Sequence, residues 1–285
     1  MNTQLLIIDP QNDFMDIPQS VSNGMQFSPT LPVPGAWEDS KRLSKFIDKA
    51  GNHISGITMT MDSHQLYDVG HPLFWRDSKG ESPAPFTPIS AEDIRNRVWV
   101  PRESSKYDQM LDYAETLESE GLFSVFIWPE HCIVGTQGWN VVKPIMDSVL
   151  NWERKFVAKS NFATKGSSPY TEHYGGFRAQ VPLANDPTTQ LNIPLIEKFN
   201  SSDLILFSGQ ALSHCVATTV RQLADNFGDD NLNKLVFLED TSSPVDGFQK
   251  DADDFVREMK SRGMRCAKTS DITFTRDGIN IPKEA

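Results

Sequence analysis

The chain has 285 residues, 38% hydrophobic and 23% charged, an ordinary globular composition that suits one large domain or two small ones. Its 38 acidic and 27 basic residues leave a net charge of −11 and a pI near 5.0, which argues against a nucleic-acid or anionic-membrane partner. No apolar run approaches the ~20 residues of a membrane span. Residues 3–9 read as a strand, not as part of a signal peptide. The three cysteines, Cys132, Cys215 and Cys266, are sparse and odd in number, so a reduced, cytoplasmic protein without a disulfide framework is expected.

Residues 4–8 (QLLII) are continuously apolar, the pattern of a strand buried on both faces, and they end in Asp9 and PQNDF. A carboxylate there is costly unless it is paired or functional; a cap or loop hydrogen bond is its plain alternative. Residues 29–34 hold three prolines and read as loop, and 37–50 read as an amphipathic helix stopped by Gly51. A second apolar run, 54–61, ends in Asp62, Ser63 and His64, with His71 seven residues on. Residues 78–106 are polar and rich in Pro and Ser, and 107–120 read as a helix, so a surface insertion is expected near 78–121. A third strand over 122–127 leads into WPEHC with His131, and a helix follows over 140–152.

Residues 155–158 read as a short fourth strand, followed by the turn-rich NFATKGSSPYTEHYGGF with Lys165. A second excursion over 178–200 contains a short helix near 191–199. Then comes DLILFSGQALSHCVATTVRQLADNF, residues 203–227. An apolar strand over 204–207 is broken by Gly209, and Val216, Val220, Leu223 and Phe227 then follow a helical spacing, with Ser213 as the N-cap. Cys215 falls in that first turn, where aligned N–H groups favour a thiolate and could hold an oxyanion. An inert buried cysteine is the plain alternative. A strand over 234–238, a helix over 246–262, a last strand over 264–268 and a polar tail complete the chain.

Strands alternating with helices predict a three-layer α/β/α sandwich with a mainly parallel, doubly wound sheet. Ligand crevices in such sheets lie outside the carboxyl ends of the strands. Two groups collect at that edge. Asp62, His64, His71 and His131 offer one carboxylate and three imidazoles, which suit Zn²⁺, with Fe²⁺ or Mn²⁺ as alternatives; a chance Asp-x-His pair and a loop His71 are the competing reading. Cys215, Asp9 and Lys165 combine a thiol of free pKa about 8.5, a base, and a cation that favours thiolate. Most lysines are solvated, which is the alternative for Lys165.

Five segments, LLIIDPQNDF, MDSHQLYDVGH, WPEHCIVGTQG, the Lys-Gly to HYGGF loop, and SGQALSHCVATTV with VFLEDTSSPVDGF, resemble the nicotinamidase/isochorismatase-like cysteine hydrolases across residues 5–248. The second and third are specific for the metal-dependent nicotinamidase branch; the Asp and Cys segments resemble the wider family. The resemblance implies an isochorismatase-like hydrolase fold in one domain, residues 1–285, that hydrolyses nicotinamide to nicotinate and ammonia. It implies Asp9 as base, Lys165 as its partner and Cys215 as nucleophile. It further implies Asp62, His64, His71 and His131 as ligands of one divalent metal, zinc foremost, which would hold the pyridine nitrogen. The peptide between Gln210 and Ala211 would be cis, the Ala211 and Cys215 N–H groups would form the oxyanion hole, and Phe14, Trp128 and Tyr174 would line the ring pocket. The insertion between His71 and His131 and a longer loop before Tyr174 depart from the family pattern. Lys159 competes with Lys165, which is preferred because Gly166 follows it. Another small amide or carbamoyl substrate stays open, as does a non-catalytic metal-stabilised binding protein, and self-association into a homo-oligomer is left unconstrained.

Overall fold

Six of the chain's strands lie side by side in one sheet: β1 (Thr3–Ile8), β2 (Gly56–Asp62), β3 (Asn161–Lys165), β4 (Leu204–Gly209), β5 (Leu235–Leu238) and β6 (Arg265–Ala267). The computed structural model describes residues 1–25, 27–275 and 278–282, the side chains of 22, 23 and 25 excepted. The strand order is β6-β5-β4-β1-β2-β3, and each neighbouring pair is parallel. β1, β2, β4 and β5 are buried along their whole length. That is why they read as continuous apolar runs, since a parallel sheet is covered on both faces.

Helices α1 (Ala36–Ala50) and α2 (Lys143–Phe156) pack against one another. Helix α4 (Ala217–Phe227) packs beside α3 (Ile193–Asn200) and α5 (Gln249–Ser261). Each buries one stripe: Leu43, Phe46 and Ile47 on α1, for example, and Ala252, Phe255 and Met259 on α5. This spacing of three and four residues is the signature of a helix with one face on a core. No helix among the described residues is long and apolar enough to cross a membrane.

The chain lays down β1, β2 and β3 in one direction and returns to place β4 on the other side of β1. The winding therefore reverses between β1 and β4, the switch point at which α/β sheets open a ligand crevice. Asp9 leaves one side of that point and Gln210 the other.

Several expectations need correction. The fourth strand lies at 161–165, not at 155–158, which instead forms the last turn of α2 and its left-handed cap at Val157 (φ 51). Lys165 thus ends a strand and does not sit in the loop after one. The run over 122–127 is outside the central sheet: only Val125–Phe126 is extended, paired antiparallel with Pro88–Ile89. His131 reaches the sheet edge because its segment hydrogen-bonds alongside His64, with His64 N–H to the Cys132 carbonyl at 3.1 Å and Val134 N–H to the His64 carbonyl at 3.1 Å. The expected polar insertion has an apolar core of its own, in which Met110 and Leu117 of the helix Tyr107–Ser119 are buried together with Ile94 and with Phe74 and Trp75 from just before it. In the second excursion, Ile196 and Phe199 of α3 are buried in the main core.

Candidate active site

Every expected site residue comes to the edge beyond β1, β2, β3 and β4. At its centre is the Lys165 ammonium, buried completely. It lies 2.9 Å from Asp9 Oδ2, 3.0 Å from Asp62 Oδ1 and 3.6 Å from Cys215 Sγ, and donates to the His173 carbonyl at 2.8 Å. Lys159, the competing lysine, is exposed. Gly166 explains the local sequence: at φ 76, a Cβ there would come within 2.8 Å of Asp62 Oδ1. Only a glycine lets the chain turn away so close to that carboxylate.

Asp9 also turns through the left-handed region (φ 45), which Asp tolerates better than most residues. Thr60 fixes it from β2: its hydroxyl donates to Asp9 Oδ1 at 2.6 Å and accepts from the Asp9 N–H at 3.0 Å. Gln11 clamps Asp62 in the same way, donating to its carbonyl and accepting from its N–H, each at 2.7 Å. Asp13 accepts from the Cys132 N–H at 2.7 Å and so anchors the turn that follows His131.

The electrostatics are those of a buried three-charge cluster. Burial alone would depress Lys165, but Asp62 and Asp9 outweigh it and hold the ammonium well above the ordinary lysine range. Burial raises the Asp9 carboxyl; Lys165 opposes this without cancelling it, and Asp62 adds to it. Burial likewise raises the Cys215 thiol, Lys165 pulls it down, and Asp9 and Asp62 push it up again, leaving it well above the free value. Burial and the two carboxylates thus favour the thiol form of Cys215 and Lys165 alone opposes them, so a base has to take its proton. A base of raised pKa beside a thiol is arranged for proton transfer between them.

Cys215 is not in the first turn of an α-helix. Leu212–Val216 form a π-turn, with the Val216 N–H bonding the Ala211 carbonyl five residues back at 3.1 Å, and α4 begins only at Ala217. Ser213 is consequently no N-cap; its hydroxyl meets His214 Nδ1 at 2.9 Å and accepts from the Val245 N–H at 3.1 Å. The Gln210–Ala211 peptide is cis. Among the described residues the Ala211 N–H meets no protein acceptor, although Ala211 is buried.

Beside this cluster, Asp62 Oδ2 lies 3.2 Å from His64 Nε2 and 3.6 Å from His131 Nε2, and these three donor atoms are mutually within 4.8 Å. His71 Nε2 approaches His131 Nδ1 at 3.3 Å. His64 Nδ1 is engaged by Asp68 at 3.0 Å, and its buried Nε2 has no hydrogen-bond partner. A buried ring nitrogen without a partner, aimed at a carboxylate and a second imidazole, fits a divalent metal with nitrogen and oxygen ligands.

Phe14, Trp128 and Tyr174 are all buried. Phe14 packs edge-on to His131 with centroids 5.4 Å apart, and Trp128 donates to the Tyr174 hydroxyl at 3.0 Å. The sequence reading missed the roof above them. His214 stacks on Phe123 at 4.8 Å and meets Phe248 at 4.7 Å, while Phe126 lies 4.7 Å from Trp128. Phe123 and Phe126 come from the 122–127 run that follows the insertion. Phe123 also walls an outer cleft of about 470 Å³ with Leu122, Arg178 and Gln222. His214 had a signal in its adjacency to Cys215, and Thr60 in being polar within a buried strand; the phenylalanines had none.

The chain matches no family model. It is 24% identical over 223 residues to a nicotinamidase of Saccharomyces cerevisiae, covering 78% of this chain and 81% of that one. Its fold is that of several solved structures. The yeast nicotinamidase matches with a TM-score of 0.61 at 20% identity, over 93% of this chain and 99% of that one. An Acinetobacter baumanii nicotinamidase/pyrazinamidase matches at 0.60 and 18%, over 95% and 97%. A Pyrococcus horikoshii pyrazinamidase in complex with zinc matches at 0.54 and 18%, over 94% and 99%.

Proposed function

We propose that this chain is a cysteine amidohydrolase of the nicotinamidase type, converting nicotinamide to nicotinate and ammonia and so serving pyridine-nucleotide salvage. The observation that carries the reading is the single buried Lys165 ammonium touching Asp9, Asp62 and Cys215. The likeness to the yeast nicotinamidase in sequence and fold supports the choice of substrate.

Cys215 passes its proton to Asp9 as the thiolate attacks the carboxamide carbon. The oxyanion is received by the N–H groups of Ala211 and Cys215, the first of which has no competing acceptor among the described residues. Asp9 then gives its proton to the departing nitrogen, and ammonia leaves. Asp9, again ionised, takes a proton from water, which attacks the thioester; nicotinate is released and the thiol restored. Lys165 keeps Asp9 and Asp62 charged in a site that would otherwise neutralise them. Asp62, His64, His71 and His131 would hold a divalent ion, zinc foremost, which when bound supplies a Lewis-acid anchor for a ring nitrogen. Phe14, Trp128 and Tyr174 enclose the ring and exclude water.

Ammonia release from nicotinamide, pyrazinamide and a panel of other small amides tests this directly. The purified chain turns over the pyridine and pyrazine amides, Cys215→Ala does not, and Cys132→Ser does. No release from any amide, or equal loss in Cys132→Ser with its metal retained, overturns the assignment.

A further inference from the structure

The loop that carries the oxyanion-hole N–H is braced by a segment to which the chemistry above gives no role. Residues 241–245, just beyond β5, run alongside 208–213 and bond to it repeatedly. Ser208 Oγ donates to the Thr241 carbonyl at 2.9 Å, and the Gly209 N–H donates to Ser242 Oγ at 3.0 Å. The Leu212 N–H donates to the Ser243 carbonyl at 2.8 Å, and the Val245 N–H to Ser213 Oγ at 3.1 Å. At the middle of this ladder lies Gln210, whose peptide leads into Ala211.

Asp39, on α1 and 171 residues away in sequence, closes the brace. Its Oδ2 accepts from Gln210 Nε2 at 3.0 Å and from Ser243 Oγ at 2.6 Å, and its Oδ1 accepts from Arg42 at 2.6 Å. Gln210 Oε1 in turn accepts from the Ser243 N–H at 3.2 Å, so that Gln210, Ser243 and Asp39 form a closed ring of hydrogen bonds. Both Asp39 and Gln210 are buried. The helix start comes close enough for this only because residue 35 is glycine: at φ 96, a Cβ there would meet Ser243 Oγ at 2.8 Å.

We propose that Asp39 is a positioning residue for the oxyanion loop: it holds the Gln210 side chain and Ser243 so that the Ala211 N–H points at the developing charge. The proposal rests on the oxyanion role given to Ala211 above. Asp39 touches neither substrate nor nucleophile. A charge-assisted bond to each of two donors on two different segments fixes their separation, and misplacement of an oxyanion donor costs rate, not ground-state binding.

The test compares Asp39→Ala with Asp39→Asn, which retains an acceptor oxygen for Gln210 and Ser243. In Asp39→Ala, kcat on nicotinamide falls roughly ten- to hundredfold with KM little changed. Alkylation of Cys215 by iodoacetamide, a displacement that forms no oxyanion, stays near the wild-type rate. Asp39→Asn recovers most of kcat. A loss of thermal stability with kcat intact, or a parallel fall of kcat and alkylation, overturns the proposal. If the wild-type chain hydrolyses no nicotinamide, the proposed function fails while this inference remains testable on p-nitrophenyl acetate. There Cys215 takes the acetyl group, releases p-nitrophenolate and needs the oxyanion hole but no ring site. An Asp39→Ala burst as fast as the wild type's overturns the inference there too.

Discussion

Replacing Lys165 by Met tests the charge cluster most directly. Met fills much of the same volume but removes what is, among the described residues, the only cation within 3.0 Å of two buried carboxylates, Asp9 and Asp62. Breaking a buried pair strands a charge and costs about 3–5 kcal/mol. Here the chain has an escape, because burial already raises the Asp9 carboxyl and Lys165 is what opposes it. With the ammonium gone, the Asp9 carboxyl is raised further and its neutral form gains. That relief keeps the stability loss at the lower end, about 3 kcal/mol, while a neutral Asp9 cannot receive the Cys215 proton. Turnover should fall by about 10²–10⁴, the usual worth of a general base. Iodoacetamide labelling of Cys215 should fall with it, since the thiol loses its one favourable neighbour. Lys159→Met, at an exposed position, should shift stability by less than about 0.5 kcal/mol and leave labelling unchanged. The assays are urea unfolding, ammonia release and mass-mapped alkylation, with metal content followed because Asp62 is shared with the histidines. Wild-type labelling in Lys165→Met, or the full effect in Lys159→Met, refutes the reasoning.

Three further outcomes follow from the same geometry. Dialysis against a chelator should cut nicotinamide hydrolysis by orders of magnitude yet leave Cys215 open to an electrophile with no ring nitrogen; loss of both, with the fold intact by circular dichroism, would point to a metal-bound water as the nucleophile. Phe123→Ala should join the ring pocket to the outer cleft and raise the preference for quinoline-3-carboxamide over nicotinamide by roughly tenfold, and an unchanged ratio would show that Phe123 sets no limit on substrate size. His214 is depressed from 6.5 to about 4 by burial, so it binds its proton more readily unfolded than folded. Its contribution is complete above pH 6.5 and is lost as pH falls towards 4, at up to roughly 1.4 kcal/mol per pH unit. His214→Phe should flatten that acid limb in urea unfolding; an identical slope would place the acid sensitivity elsewhere.

What the sequence made legible was the residues whose chemistry or burial is scarce. β1, β2 and β4 stand out because strands covered on both faces are continuously apolar, and the groups at their ends stand out because carboxylates, imidazoles and a thiol rarely follow such runs. β3 was hidden because it is an edge strand whose alternating, half-exposed NFATK looks like the polar loop around it. The run over 122–127 was apolar for a different reason: it seals a second core, and local periodicity does not say which core a run belongs to. The π-turn was invisible because the spacing of Val216, Val220, Leu223 and Phe227 is the same whether the helix begins at Ser213 or at Ala217.

Asp39 and Phe123 mark a deeper limit. An Asp in the first turn of an amphipathic helix is ordinarily a solvated residue placed for the helix dipole, and nothing in its neighbours on α1 says otherwise. It becomes a structural acceptor only because β4 and the segment after β5 bring Gln210 and Ser243 to it from 171 and 204 residues away. Phe123 is likewise a common residue made specific by the ring of His214 beneath it. The Asp9–Lys165–Cys215 cluster is thus specified by residue type at strand ends, while its surroundings, the brace on the 208–213 loop and the aromatic contacts of Phe123, are specified by contact. A chain that kept Asp9, Lys165 and Cys215 but changed Gln210, Ser243 or Phe123 would read the same in its motifs and differ in rate and in the size of amide it accepts.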